Sequence, residues 1–295
     1  MERDKAQEEI EHPFLEFWHS FKRGRGACIG LAVVMIFIFL SLFAPLLAPH
    51  DPTEIFEGQL RLPPAPFADG VARFPLGTDS VGRDLLSRLL YGARVSMGIG
   101  LLVVVFSATV GTFLGLVAGH FGKGIETIIM RLMDIIMALP SVLLAIVVVS
   151  ILGPGLFNAT LAVSFISIPA FTRLVRAGVL EEKKKQYVLA SASFGAGPWR
   201  QMFSNILPNC MAPLIVQASL TFSNGILDAA ALGFLGLGAR PPTAEWGTML
   251  ASARMFMETS PWGTALPGLC ILAVVLGFNL FGDGLRDALD PRLKR

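Results

Sequence analysis

The chain has 295 residues, of which 53% are hydrophobic and only 16% charged, and its mean hydropathy is +0.63. Soluble domains carry about 25% charged residues, so this composition cannot build a polar shell; it excludes an ordinary cytosolic enzyme, a disordered chain and a secreted disulfide scaffold. The 24 basic and 22 acidic residues nearly balance, which excludes a nucleic-acid binder, whose charge would be strongly and locally basic.

The apolar surplus must face lipid, so the predicted fold class is an all-α membrane protein. A hydrocarbon core about 30 Å thick takes about 20 residues of helix. Six stretches qualify as transmembrane helices: 27–47, 95–118, 128–152, 156–174, 211–232 and 264–281.

Residues 1–26 come first. Phe14, Phe17, Trp18 and Phe21 recur at helical spacing, with Lys22 and Arg23 behind them. That pattern predicts an interfacial helix on membrane lipid at the cytoplasmic leaflet, although the same face could meet a protein. The span 27–47 is too long for a signal-peptide core and reads as an uncleaved anchor. Residues 48–94 form the longest outside loop. Pro49, Pro52, Pro63, Pro64 and Pro66 make its first part extended and irregular. Its second part predicts an amphipathic helix capped by Asp79 or Ser80, with Asp84 placed four before Arg88.

The third span carries Arg131 and Asp134, three apart on one face. They are either a mutually satisfied pair or part of a gate. The fifth carries Asn224 and Asp228. A lone carboxylate at that depth is costly unless it is paired or wet, so Asp228 should line a path or an inter-subunit seam.

Residues 181–209, between the fourth and fifth spans, are the most informative. Small residues predict one short helix up to Phe194, which Gly195-Ala196-Gly197 breaks. Pro198 suits the first turn of a second short helix, and Pro208 should end it. Such an elbow lets another protein approach closely. Its candidate contacts are Tyr187, Ala190, Ser191, Phe194, Gly195, Ala196, Trp199, Leu207 and Pro208.

Orientation follows from Lys and Arg counts. With the N-terminus inside, sixteen fall in inside segments and seven outside, which puts both termini and the elbow in the cytoplasm.

Catalytic patterns are missing. There is no GxxxxGK[ST] loop; the string Gly119 to Gly124 lacks its spacing and hydroxyl residue. The four histidines form no HExxH, no serine sits in GxSxG, and Cys28, Cys210 and Cys270 show no CxxC spacing. The expectation is a chain that is not an enzyme, with no catalytic residue, metal or cofactor of its own.

The segment 187–209 resembles the EAA loop of bacterial ABC importer permeases. Gly195 and Leu207-Pro208 match it, and Leu189 stands where its Glu usually is. Three more strings resemble the peptide and nickel permease class. They are Leu76-Gly77-Thr78-Asp79 with Gly82-Arg83-Asp84, Gly233 to Gly238 with Pro241-Pro242 and Glu245-Trp246-Gly247, and Phe278 to Pro291. The chain is most similar to the second permease subunit of dipeptide importers. The resemblance implies a type I ABC importer permease fold in the bacterial inner membrane, with residues 95–295 as the ABC transmembrane domain. Its implied partners are a homologous second permease, two ABC ATPase subunits that bind ATP and Mg, a periplasmic substrate-binding protein and the peptide substrate. The elbow would then couple the ATPases to the permease. Permeases for nickel, oligopeptides or antimicrobial peptides remain alternatives within the class. A secondary transporter, the alternative outside it, would show inverted repeats and broken midplane helices.

Overall fold

The computed structural model describes residues 13–67 and 69–289, with side chains described from residue 17 onward. Phe14, and the tail beyond residue 289, therefore lie outside the described side chains. Among the described residues there is no strand, and the only bridge is Thr78 with Asp84.

The described residues begin with α1 (Pro13–Arg23) and α2 (Arg25–Leu42), which α3 (Ala44–Leu47) extends by one turn. A long loop leads to α4 (Leu85–Phe121), α5 (Lys123–Met137), α6 (Ser141–Leu152) and α7 (Leu156–Glu182). Next come α8 (Gln186–Ser193), the single turn α9 (Pro198–Arg200) and α10 (Met211–Phe234). The short α11 (Trp246–Ala253) and the long α12 (Trp262–Leu289) complete the fold.

Five helical runs are long and apolar enough to cross a membrane, and α5 with α6 makes a sixth when the bent pair counts as one. This corrects the expectation of a straight third span. The axis turns by 95° at the break between α5 and α6. The cause is local: Pro140 has no N–H for the helix ladder and restricts Leu139 before it. The second and fourth spans overshoot their predicted ends, because α4 absorbs the amphipathic segment before it and α7 runs on to Glu182.

Lipid is as apolar as a leucine side chain, so close packing rather than hydrophobic exclusion must hold these helices together. Small residues make that possible. Gly111, Gly115 and Gly119 form a stripe along α4 against α7. A Cβ would lie 2.6 Å from Phe171 Cβ at Gly111, 2.7 Å from the Thr172 carbonyl at Gly115 and 2.6 Å from Val179 Cβ at Gly119. Gly30 of α2 meets α12 in the same way, with the Phe281 nitrogen 2.5 Å from the Cβ position. Large apolar side chains such as Ile36, Leu102, Val105 and Leu276 stay on the outside, where lipid would cover them.

Phe21 is 3% exposed and packs with Ala27, Leu285 and Ala288, its ring edge-on to Phe281 at 5.9 Å. The described part of the aromatic face of α1 thus turns onto the C-terminal helix of its own chain, rather than lying wholly on lipid. The long loop also differs from expectation. It lacks regular structure but is folded. Thr78 Oγ1 accepts from Leu62 N at 2.9 Å and donates to the Gln59 carbonyl at 2.6 Å, while Phe74 is buried against Phe56 and His50. The cap of α4 is Asp84, whose carboxylate accepts from Ser87 N at 3.0 Å, so neither Asp79 nor Ser80 caps a helix. A side chain used as an N-cap faces the helix axis, and Arg88 turns instead to Asp79, at 3.4 Å. Trp246 is fully buried at the start of α11. Its indole N–H donates to the Leu89 carbonyl at 3.1 Å, tying the loop end of α4 to the segment before α12.

Candidate functional site

The elbow follows from local chemistry. Helix α8 ends at Phe194, and Gly195 reverses the chain with φ at +82°. An L side chain meets the following carbonyl in that region, whereas glycine does not. Pro198 then opens α9 at its first position, where a missing N–H costs nothing.

Pro208 does not end the second helix. Its neighbourhood winds as a π turn over Gln201–Ile206 and a 3₁₀ turn over Leu207–Cys210, and the axis runs unbroken into α10. The two turns shift the hydrogen-bond ladder where the proline nitrogen has no hydrogen to give. The elbow is therefore one short helix folded back on the start of a helical run that spans Pro198–Phe234.

Its inner side is cored by Val188, Met202, Ile206 and Cys210 against Phe171, Val175 and Val179 of α7. Polar groups lock it further. Tyr187 donates from its hydroxyl to Glu182 at the end of α7 and accepts from Asn209 Nδ2 at 3.0 Å. Asn205 Nδ2 donates to Ser191 Oγ at 2.7 Å, and Gln201 Nε2 donates to the Ala196 carbonyl at 2.9 Å. Lys185 Nζ reaches the other Glu182 oxygen at 2.5 Å. Burial and the Glu182 carboxylate beside it push the Tyr187 phenol up to about 12, so it remains a neutral donor at any physiological pH.

The outer side is bare. Phe194 is 92% exposed, and Leu189, Ala190, Trp199 and Pro208 are exposed around it. Trp199 stacks with Phe203 at 5.9 Å and leans towards Phe113 of α4 at 6.3 Å. Of the nine elbow residues chosen from sequence, Ser191, Ala196 and Leu207 turn partly inward, and the other six reach the surface. Glu182, Asn205 and Asn209 were missed. The i,i+3 spacing of Glu182 and Lys185 was the one local signal, and the partners of the asparagines lie 14 and 22 residues away.

The remaining candidates lie elsewhere. Asp134 pairs with Arg173 of α7 at 2.6 Å, not with Arg131, which is exposed. Glu126 and Arg176 make a parallel link, with Arg176 Nε 2.7 Å from the carboxylate. Both arginines belong to α7, so these ions fasten the bent segment to the main bundle. Asn224 and Asp228 share one face of α10. Asn224 is exposed and Asp228 half-buried, facing Ser141 at the start of α6. The bend therefore brings the start of α6 against the one carboxylate of α10.

Comparison with known proteins gives concordant matches. Residues 111–295 match the family model described as binding-protein-dependent transport system inner membrane component. Residues 12–64 match the N-terminal TM domain of oligopeptide transport permease C. The chain is 58% identical, over 282 residues, to the di/tripeptide transport system permease protein DppC of Pseudomonas aeruginosa, covering 96% of this chain and 93% of that protein. It is 57% identical over 283 residues to the dipeptide transport system permease protein DppC of Escherichia coli, covering 96% of this chain and 94% of that protein. Among solved structures it is similar to the inward-facing MetNI methionine ABC transporter. The TM-score is 0.55 at 18% identity, covering 70% of this chain and 98% of the other, which establishes a type I importer permease fold.

Proposed function

The chain belongs to the inner membrane components of binding-protein-dependent transport systems, so it is a permease component of an ABC importer, and we propose that its cargo is dipeptides and other short peptides. The relatives named above, at 57–58% identity over nearly the whole chain, support that cargo.

In this reading the chain pairs with a homologous permease, and two ATPase subunits bind ATP and Mg beneath them. A periplasmic binding protein delivers peptide from the other side, and both termini lie in the cytoplasm. The elbow of residues 187–208 takes the ATPase. The observation that carries this is its two-sidedness: it is polar-locked within, and Phe194 stands almost wholly free without. An exposed aromatic beside small residues is what a partner's groove requires. Motion of the ATPases then reaches α7 through Glu182 and α10 through the run that begins at Pro198.

Uptake of labelled dialanine tests the cargo. A strain deleted for this gene should lose uptake and regain it on complementation. Restoration of nickel or oligopeptide uptake, with none for dialanine, overturns the assignment.

In the same reading Asp228 lines the path or the seam with the second permease, and Asn224 the path. In a chain freed of Cys28, Cys210 and Cys270, Asp228→Cys is expected to react with a membrane-impermeant maleimide in the assembled transporter. Reaction only with a lipid-soluble reagent places the side chain in bulk lipid and removes it from the path.

A further inference from the structure

At the end of α4 opposite the elbow, the long loop, the first turn of α4 and the segment between α11 and α12 enclose a recess of about 20 Å³. Its lining includes Arg61, Asp79, Ser80, Arg83, Arg88 and Phe256. Three guanidinium groups and a single carboxylate line it, and two of the three meet that carboxylate. Arg83 Nε lies 2.7 Å and Arg88 Nε 3.4 Å from the same oxygen of Asp79. Arg61 has no ion-pair partner among the described residues; its guanidinium sits 4.9 Å over the Phe256 ring. The lining thus sets three positive charges against one negative.

Arg61 is exposed at the mouth of the recess, whereas the other three groups are largely buried. The side chains of Arg88, Arg83 and Asp79 are 5%, 11% and 13% exposed. Arg88 Nη1 is fixed by the carbonyls of Pro52 at 2.9 Å and Pro242 at 3.2 Å. Arg61 is held beside them by its own backbone, whose N–H donates to the Asp79 carbonyl at 3.0 Å and whose φ is +52°. Arg83 and Arg88 share the one carboxylate of Asp79, and charge so little exposed is costly without a full counter-charge. A guanidinium fork matches the two oxygens of a carboxylate. The recess exceeds the roughly 10–15 Å³ that one water needs, yet it is too small for more than the tip of a side chain or a chain end.

We propose that this recess is a carboxylate-binding site, with Arg61, Arg83 and Arg88 as its cationic wall. The carboxylate comes either from the C-terminus of a peptide or from an acidic side chain. The proposal is independent of the elbow, and its failure leaves the import function untouched.

The test uses the full-length chain in lipid nanodiscs, titrated with sodium acetate at constant ionic strength against sodium chloride, with binding read from the rise in Tm and by calorimetry. Acetate is expected to raise Tm in a saturable way. Arg61→Gly suits the left-handed backbone and leaves both Asp79 pairs intact; it should abolish the rise. Arg61→Lys keeps the charge without the fork and should weaken acetate at least tenfold. Dialanine, dialanine amide and N-acetylglutamate amide separate the two sources. Tight binding of dialanine but not of its amide identifies a peptide terminus, and tight binding of the blocked glutamate identifies a side chain. The proposal is overturned if acetate gives no rise over chloride, or if Arg61→Gly retains the full rise.

Discussion

Gly195→Trp is expected to cut dipeptide uptake more than tenfold while the protein still accumulates in the membrane at its normal level. The two effects separate for a structural reason. No atom lies within 4 Å of the position a Cβ would take, so the new side chain meets nothing inside the chain. The cost arises in the backbone, where φ of +82° asks about 1–2 kcal/mol of any L residue, and at the surface, where an indole enters the space a docking partner would occupy. Gly195→Asn separates these, since asparagine tolerates the left-handed region and is small; it should retain most of the uptake. Normal uptake and normal ATPase stimulation with Gly195→Trp would remove the elbow from the coupling route.

The second large effect is on assembly of the bundle. Gly115→Leu is expected to remove most of the protein from the membrane fraction and to lower the Tm of what remains. Its Cβ alone would stand 2.7 Å from the Thr172 carbonyl and from Val175 Cβ, so α4 and α7 must separate. Overpacking of this kind costs about 1–3 kcal/mol or more, because the atoms in the way are backbone and a β-branched side chain. Gly98→Leu is the control on the same helix, with nothing within 4 Å of its Cβ; it should change neither quantity. Equal accumulation and equal Tm for the two variants would contradict the packing described.

The apolar stretches were legible because hydropathy alone locates them, and the elbow because Gly195 and Pro198 punctuate it by mechanisms that act within a residue or two. Pro140 carries the same kind of signal, but the apolar run continues across it, so hydropathy alone reads one span where the proline breaks the helix. Pro208 misled in the opposite direction: a proline ends a helix only where the ladder cannot shift, and here a π turn and a 3₁₀ turn shift it. Pairings failed whenever a distant partner competed. The Arg131–Asp134 and Asp84–Arg88 spacings suit helix-face pairs. Yet Asp134 found Arg173, and Arg88 found Asp79, nine residues away, while Asp84 caps its own helix. The Glu182–Tyr187–Asn209 clasp depends on how the chain folds back at Gly195, which no local spacing encodes.

The glycine stripe of α4 has a consequence for force. With backbones this close over Gly111 to Gly119, that part of α4 and the facing part of α7 should move as one body. The lower end of α7 carries the clasp that grips the elbow, and the upper end of α4 carries the arginine-lined loop cluster. A torque applied at the elbow would then enter the continuous helix α4 without crossing a flexible joint, while α5 is fastened to α7 by its two ionic tethers.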